Sequence, residues 1–125
     1  MHLKIDTSSE EPNYLQIEQQ IKEGIITGKL LPNEKLPSIR SLAKDLQIAI
    51  ITIKRAYDDL EHDGWIVNKQ GIGCFVAIRK REELEQEISK EIDARIDDLL
   101  QFAATYQIRS NEIIERIMRR GKENE

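Results

Sequence analysis

The sequence predicts a mainly α chain (α+β): three helices and a β-hairpin, followed by a segment of two further helices. Three observations carry this. Apolar residues recur at steps of three and four in five separate stretches, the spacing of one helix face. Two short runs rich in β-branched and aromatic residues flank a glycine-bearing tip after the third stretch. A polar joint, Arg79-Lys80-Arg81, divides the 125 residues into segments 1–78 and 79–125.

Residues 1–12 have no strong period and end in Glu-Glu-Pro, which reads as a short extended arm. From Asn13, the apolar positions Tyr14, Ile17, Ile21 and Ile25 mark the first helix, which Gly28 stops. Leu31-Pro32-Asn33-Glu34 is a turn signal. Ser38 is placed to cap a second helix, because its hydroxyl can accept from an otherwise unpaired amide; Ile39, Leu42, Ala43 and Leu46 would face inward. After the break Gln47-Ile48-Ala49, a third helix runs from about Ile50 to His62 on the stripe Ile53, Ala56, Tyr57 and Leu60. Gly64 suits its left-handed end. Trp65 to Asn68 and Cys74 to Ala77 read as paired strands around the tip Lys69 to Gly73, with Trp65 and Phe75 in the core. Beyond the joint, Leu84, Ile88, Ile92, Ile96, Leu99, Ala103 and Tyr106 form a long helical stripe. Ile108 to Asn111 interrupts it, a last short helix carries Ile113, Ile114, Ile117 and Met118, and the tail from Gly121 to Glu125 reads as frayed.

Composition narrows the function. An apolar fraction of 39% beside a charged fraction of 34% suits a folded, water-soluble chain. No apolar run reaches the ~20 residues of a membrane span, and Met1 to Asp6 lacks the apolar core of a signal peptide. The expectation is a cytoplasmic protein that needs no cofactor: the single Cys74 excludes an internal disulfide, and His2 and His62 have no metal-ligand spacing. A phosphate-cradling glycine loop after a strand and a nucleophile elbow are both absent, so an enzyme is not indicated. The net charge of −4 is unevenly spread. Residues 1–81 hold 12 Lys and Arg against 11 Asp and Glu, while residues 82–125 hold 7 against 12. Only local clustering of cations in the first part would make a phosphate-binding face.

Three helices followed by a hairpin is the winged helix-turn-helix order, with the second and third helices as the helix-turn-helix. At 100° per residue the third helix points Ile51, Arg55, Asp58 and His62 away from the core, with Thr52 and Lys54 on the flanks. A recognition helix presents its N-terminal turns to the major groove. Thr52, Lys54 and Arg55 are therefore candidates for contact with base edges or phosphates.

The residues also carry a family likeness. Ile25-x-x-Gly28-Lys29-Leu30-x-Pro32-x-x-Lys35-Leu36-Pro37-Ser38-x-Arg40-x-Leu42-Ala43, then Ile53-x-Arg55-Ala56-Tyr57-x-x-Leu60-Glu61-x-Asp63-Gly64-Trp65, then Gly71-x-Gly73-x-Phe75-Val76 resemble the GntR family of bacterial regulators. The Arg55-Ala56-Tyr57 triplet and the short two-helix tail look like its YtrA subfamily, whose C-terminal segment mainly dimerises the protein. The resemblance implies DNA contact by Arg40. Beside it, Ser38 offers a hydroxyl and helix N-terminal amides to a phosphate. The wing tip Lys69-Gln70-Gly71 would approach the minor groove or backbone, where a glycine lets the main chain come close. The chain departs from the family pattern in the turn into the third helix, which usually reads Ser or Thr followed by Arg. Here it reads Ala49-Ile50-Ile51, with Gln47 in place of the usual Gly and Cys74 in place of the wing's Thr. Either Ile50 and Ile51 touch thymine methyls, or Ile50 packs inside. The preferred operator should differ from the usual type.

The stripe from Leu84 to Tyr106 is too long for the last helix to cover. Packing against the same segment of a second chain, through Leu84, Ile88, Ile92, Ile96, Leu99, Ala103, Ile113 and Ile117, gives a two-fold homodimer. Such a dimer reads a palindromic duplex with half-sites about one helical turn, or a multiple, apart. The expected function is a sequence-specific repressor on double-stranded DNA. Repression, and transporter genes as targets, are implied by the resemblance alone. A small-molecule effector would bind between the C-terminal helices or near Arg79, since the chain is too short for the effector domain of larger members. The alternative is a winged-helix protein-interaction module, to which an apolar Ile50-Ile51 pair lends weight.

Overall fold

The computed structural model describes residues 1–124. It divides into two compact units, Met1–Arg79 and Lys80–Glu125. The first holds α1 (Asn13–Ile26), α2 (Ile39–Leu46), α3 (Ile50–His62), β1 (Ile66–Lys69) and β2 (Gly73–Val76). The second holds α4 (Arg81–Thr105) and α5 (Ser110–Glu123).

In the first unit α3 is the hub, packing on α1, α2 and β1. Its inward stripe, Ile53, Ala56, Tyr57 and Leu60, meets Ile17 and Ile21 of α1; all six are buried. Helical spacing makes this possible, because each set lies on one face of its own helix. Leu36, Leu42, Trp65, Ile66 and Val76 complete the core. The arm is tied down by two glutamines one turn apart on α1. Gln20 exchanges hydrogen bonds with the backbone of Lys4, and Gln16 does the same with Asp6. Each side-chain amide thus serves as a strand partner would.

Helix ends follow one physical pattern. At the end of α3, the Trp65 amide donates to the Leu60 carbonyl and Gly64 adopts φ 84, a Schellman cap. With the second bond, from the Gly64 amide to the Glu61 carbonyl, this pair recurs at the end of α2, from Ile48 to Ala43 and Gln47 to Lys44, and of α4, from Ile108 to Ala103 and Gln107 to Ala104. There the left-handed residue is a glutamine, Gln47 at φ 55 and Gln107 at φ 61. Both helices thus end on a residue that departs from the local preference for glycine.

The wing is an antiparallel pair with Ile66 opposite Val76 and Lys69 opposite Gly73. Residues 33–36 extend it, although Asn33 and Glu34 were expected to form only a turn. Asn33 donates to Val76, Val76 to Glu34 and Leu36 to Cys74, and Lys35 bridges to Phe75. This third line pins the wing to the chain that leads into α2. Phe75, expected in the core, is only half-buried, because it stands on the outer face of β2, beside the Lys69 ammonium.

One acidic side chain lies in the interface between α1 and α3. Glu18 is buried, and one of its carboxylate oxygens has no hydrogen-bond partner. Burial and the neighbouring Asp59 carboxylate push its pKa from 4.5 up to about 7, with Asp63 adding to the effect and Lys22 opposing it. The raised pKa means that the folded state prefers the neutral acid. Its contribution to stability is complete below the unfolded value of 4.5 and is lost as pH rises through about 7. Glu18→Gln should therefore gain on the native chain as pH rises, by about 1–2 kcal/mol near pH 8 after allowance for solvent screening. Urea unfolding at about pH 5 and about pH 8 checks this. Parallel pH profiles for the two proteins would rule it out.

In the second unit α4 is about 37 Å long by its rise per residue. The turn after it reverses the chain, so that α5 packs against α4, with Ala103 and Ile113 buried. The frayed tail expected from Gly121 is instead helical to Glu123, and the helical hydrogen bonds run past it, with the Asn124 amide donating to the Arg120 carbonyl. Glu125, the end of that tail, lies outside the described residues. Among the described residues no helix is long and apolar enough to cross a membrane.

Candidate nucleic-acid interface

The site grows from the start of α2. The Ser38 hydroxyl accepts from the Ser41 amide at 3.1 Å, which sets where the helix begins. Its own hydrogen remains available to an incoming acceptor. Arg40 follows in the first turn, exposed, and among the described residues it is engaged in no hydrogen bond or ion pair. α3 is locked to this entry by Tyr57, whose buried hydroxyl donates to the Pro37 carbonyl at 2.7 Å. Burial pushes that phenol's pKa well up, so the donor persists at any physiological pH.

The outward edge of α3 carries Thr52, Lys54 and Arg55, but not as three free groups. Thr52 is half-buried. The Lys54 ammonium lies 2.6 Å from Asp58, one turn on, and this hydrogen bond holds its pKa above the ordinary value. The Arg55 guanidinium lies 3.7 Å from the centre of the Tyr14 ring of α1. Stacking fixes the plane of the guanidinium and leaves its N–H edges exposed, which reduces the entropy lost when it binds. Tyr14 read as a core position in the sequence; only the crossing of α1 and α3 brings it under Arg55.

The wing tip is built similarly. Lys69 donates to the Asn33 side chain at 3.2 Å and lies 4.4 Å from the Phe75 ring centre. Gln70 and Gly71 occupy the three-residue loop between the strands, and Gly71 adopts φ 78 with nothing near its missing Cβ. Burial raises the pKa of the half-buried Cys74 thiol above its ordinary value, which disfavours the reactive thiolate. Sequence reasoning missed Asn33 and Lys35. Neither has a periodic signal, and both gain their places from the pairing of residues 33–36 with β2.

On the second unit, Leu84, Ala103 and Ile113 of the expected contact set are already buried, and Ile88 is half-buried. Ile92, Ile96, Leu99 and Ile117 are exposed, as are Phe102, Tyr106, Ile114 and Met118. Phe102 was not expected there; it joins Tyr106 at 5.1 Å between ring centres. Between α4 and α5 lies a recess of about 270 Å³ lined by Leu99, Phe102, Ile113 and Ile117, with Arg116 and Arg120 beside it.

Residues 13–76 match the family described as bacterial regulatory proteins, gntR family. The chain is 39% identical over 72 residues to the arabinose metabolism transcriptional repressor of Geobacillus stearothermophilus, a match covering 58% of this chain and 20% of the repressor. It is 39% identical over 75 residues to the HTH-type transcriptional repressor YtrA of Bacillus subtilis (strain 168), covering 60% of this chain and 58% of YtrA. Each match thus spans less than two thirds of the relative's length. Among solved structures, YtrA from Sulfolobus acidocaldarius, a GntR-family transcription factor, superposes with a TM-score of 0.60 at 34% identity, covering 97% of both chains. The AraR DNA-binding domain in complex with an operator superposes with a TM-score of 0.54 at 34% identity, covering 62% of this chain and 99% of that domain.

Proposed function

Because this chain belongs to the GntR family of bacterial regulatory proteins, we propose that it is a cytoplasmic transcriptional repressor that binds a palindromic operator as a homodimer. Its family and its relatives are DNA-binding regulators of transcription. The observation that carries the finer reading is the outward edge of α3. It offers Thr52, Lys54 and Arg55, with an exposed Arg40 on α2, the helix packed against α3, on a unit that resembles an operator-bound domain.

In this reading α3 lies in the major groove. The stacked Arg55 presents two N–H donors to a guanine edge or a phosphate. Lys54 exchanges its Asp58 partner for a phosphate, and Ser38 and Arg40 hold the backbone on one side of the groove. Lys69, Gln70 and Gly71 follow the adjacent backbone or minor groove. The exposed apolar side chains of α4 and α5 bury against a second copy, which sets two recognition helices about a two-fold axis. Occupancy of the operator then excludes the transcription machinery.

Selection of bound duplexes from a random pool tests this directly. The expected product is an inverted repeat whose affinity falls steeply with salt. Arg40→Ala should weaken binding by about tenfold or more and lower the salt slope by about one, while leaving the oligomeric state unchanged. A protein that enriches no duplex at low ionic strength sinks the reading. Duplex affinity that ignores salt would argue against phosphate contact by these cations. An Arg40→Ala variant with native affinity removes that residue from the interface.

A further inference from the structure

The first turn of α3 has an unusual surface. Its cap residue Ala49 makes no side-chain hydrogen bond, and the helix opens on two isoleucines that are not packed inside: Ile50 is 47% exposed and Ile51 76%. The two cations that follow are held within the protein, Lys54 by Asp58 and Arg55 by the Tyr14 ring. The leading end of the helix is therefore apolar, and its cations follow about one turn later. What fills this surface must be apolar where the isoleucines stand. It must also be anionic around them, because the uncapped amides of the first turn and the neighbouring cations carry positive charge. The only apolar group that a base pair presents in the major groove is the thymine C5 methyl, and it is flanked by phosphates. The surface is continuous with the edge assigned to DNA.

We propose that Ile50 and Ile51 are specificity-determining residues that read thymine methyl groups in each operator half-site. This rests on the DNA-binding reading above. The isoleucines then discriminate by burial of methyl groups and not by hydrogen bonds. They reject cytosine, which has no methyl there, and they disfavour guanine, whose bare acceptors would be desolvated against a side chain that cannot donate. The half-site is richer in thymine at this position than one read by an arginine.

Deoxyuridine replaces thymine with loss of the methyl alone, and every hydrogen-bonding group is kept. The selected operator is synthesised with deoxyuridine at one thymine at a time, and its affinity is measured at fixed salt for the native protein and for Ile50→Ala, Ile51→Ala and Ile51→Val. Removal of a contacted methyl should weaken native binding about fourfold, the equivalent of one buried methylene. At that position Ile51→Ala or Ile50→Ala should no longer distinguish thymine from deoxyuridine, and Ile51→Val should keep part of the discrimination. Both positions are exposed, so the variants should fold, which their circular dichroism verifies. Native affinity that is indifferent to deoxyuridine at every thymine overturns the proposal. So does sensitivity that survives unchanged in both alanine variants, or an operator affinity that neither variant alters. In each of these cases DNA binding itself persists, so only this inference fails. A protein that selects no duplex fails at the earlier step and takes the inference with it.

Discussion

Ile92→Asp combined with Ile96→Asp should convert the protein to a monomer and lower its operator affinity about a hundredfold or more, the scale lost when two linked contacts become one. Both residues are about half exposed on α4, and they continue into Leu99, Phe102 and Tyr106. On α5, Ile114, Ile117 and Met118 are more than half exposed. Eight large apolar side chains on two helices form a surface that water penalises at roughly 25 cal/mol per Å², which favours a second copy as its cover. A carboxylate placed in that apolar interface would have to shed water, a cost of several kcal/mol unless a cation pairs with it. The aspartates are harmless in the isolated chain, where they would face solvent. Loss of dimer should therefore occur with the helix content unchanged. Sedimentation velocity, followed by operator titration, reads both parts. A double variant that still sediments as a dimer would refute this interface, and a monomer with native affinity would refute the need for it.

The second large effect is Leu60→Ala, which should destabilise the N-terminal unit by about 2–5 kcal/mol. Leu60 has no exposed surface, and it sits on α3, the helix that α1, α2 and β1 all pack against. Truncation removes buried apolar volume and leaves a cavity in the helix on which the unit is packed. A small unit has roughly 5–12 kcal/mol of stability in total, so the loss is a large share. The midpoint of thermal unfolding should fall by about 15 °C, and operator binding should be lost at temperatures the native protein tolerates. Ile51→Ala on the same helix is the internal control, because a side chain mostly in water costs little when shortened. A Leu60→Ala midpoint within about 5 °C of native would mean that α3 is not the hub described.

The two isoleucines and Leu60 illustrate what periodicity can and cannot assign. Ile53, Ala56, Tyr57 and Leu60 were legible as one buried face, since helical geometry alone puts them together. The span Ile50–His62 was legible too, because the break Gln47-Ile48-Ala49 and Gly64 bracket it. Ile50 was ambiguous. An apolar residue at the start of a helix is inside or outside according to where the neighbouring helix crosses, and nothing local encodes that crossing. The same holds for Tyr14 beneath Arg55 and for Phe75 on the outer face of β2. In the second unit the stripe was legible but not its division: Ala103 and Ile113 are buried by the α4–α5 reversal, and Phe102 is left exposed.

By itself, then, the chain's pattern of apolar residues, caps and turn residues determined the element order, the helix-turn-helix and wing, and the family to which they belong. Those signals are local, set by neighbours within about one helical turn or one strand repeat. Tertiary structure alone decided that Arg55 lies on a ring of α1, that Asn33 and Lys35 line the wing, that Glu18 is held toward its neutral form, and that two glutamines end helices in left-handed geometry. Each of these depends on residues brought together from distant parts of the chain, or on a helix that ends against the local preference for glycine. Their energies come from contacts that exist only after the core has closed.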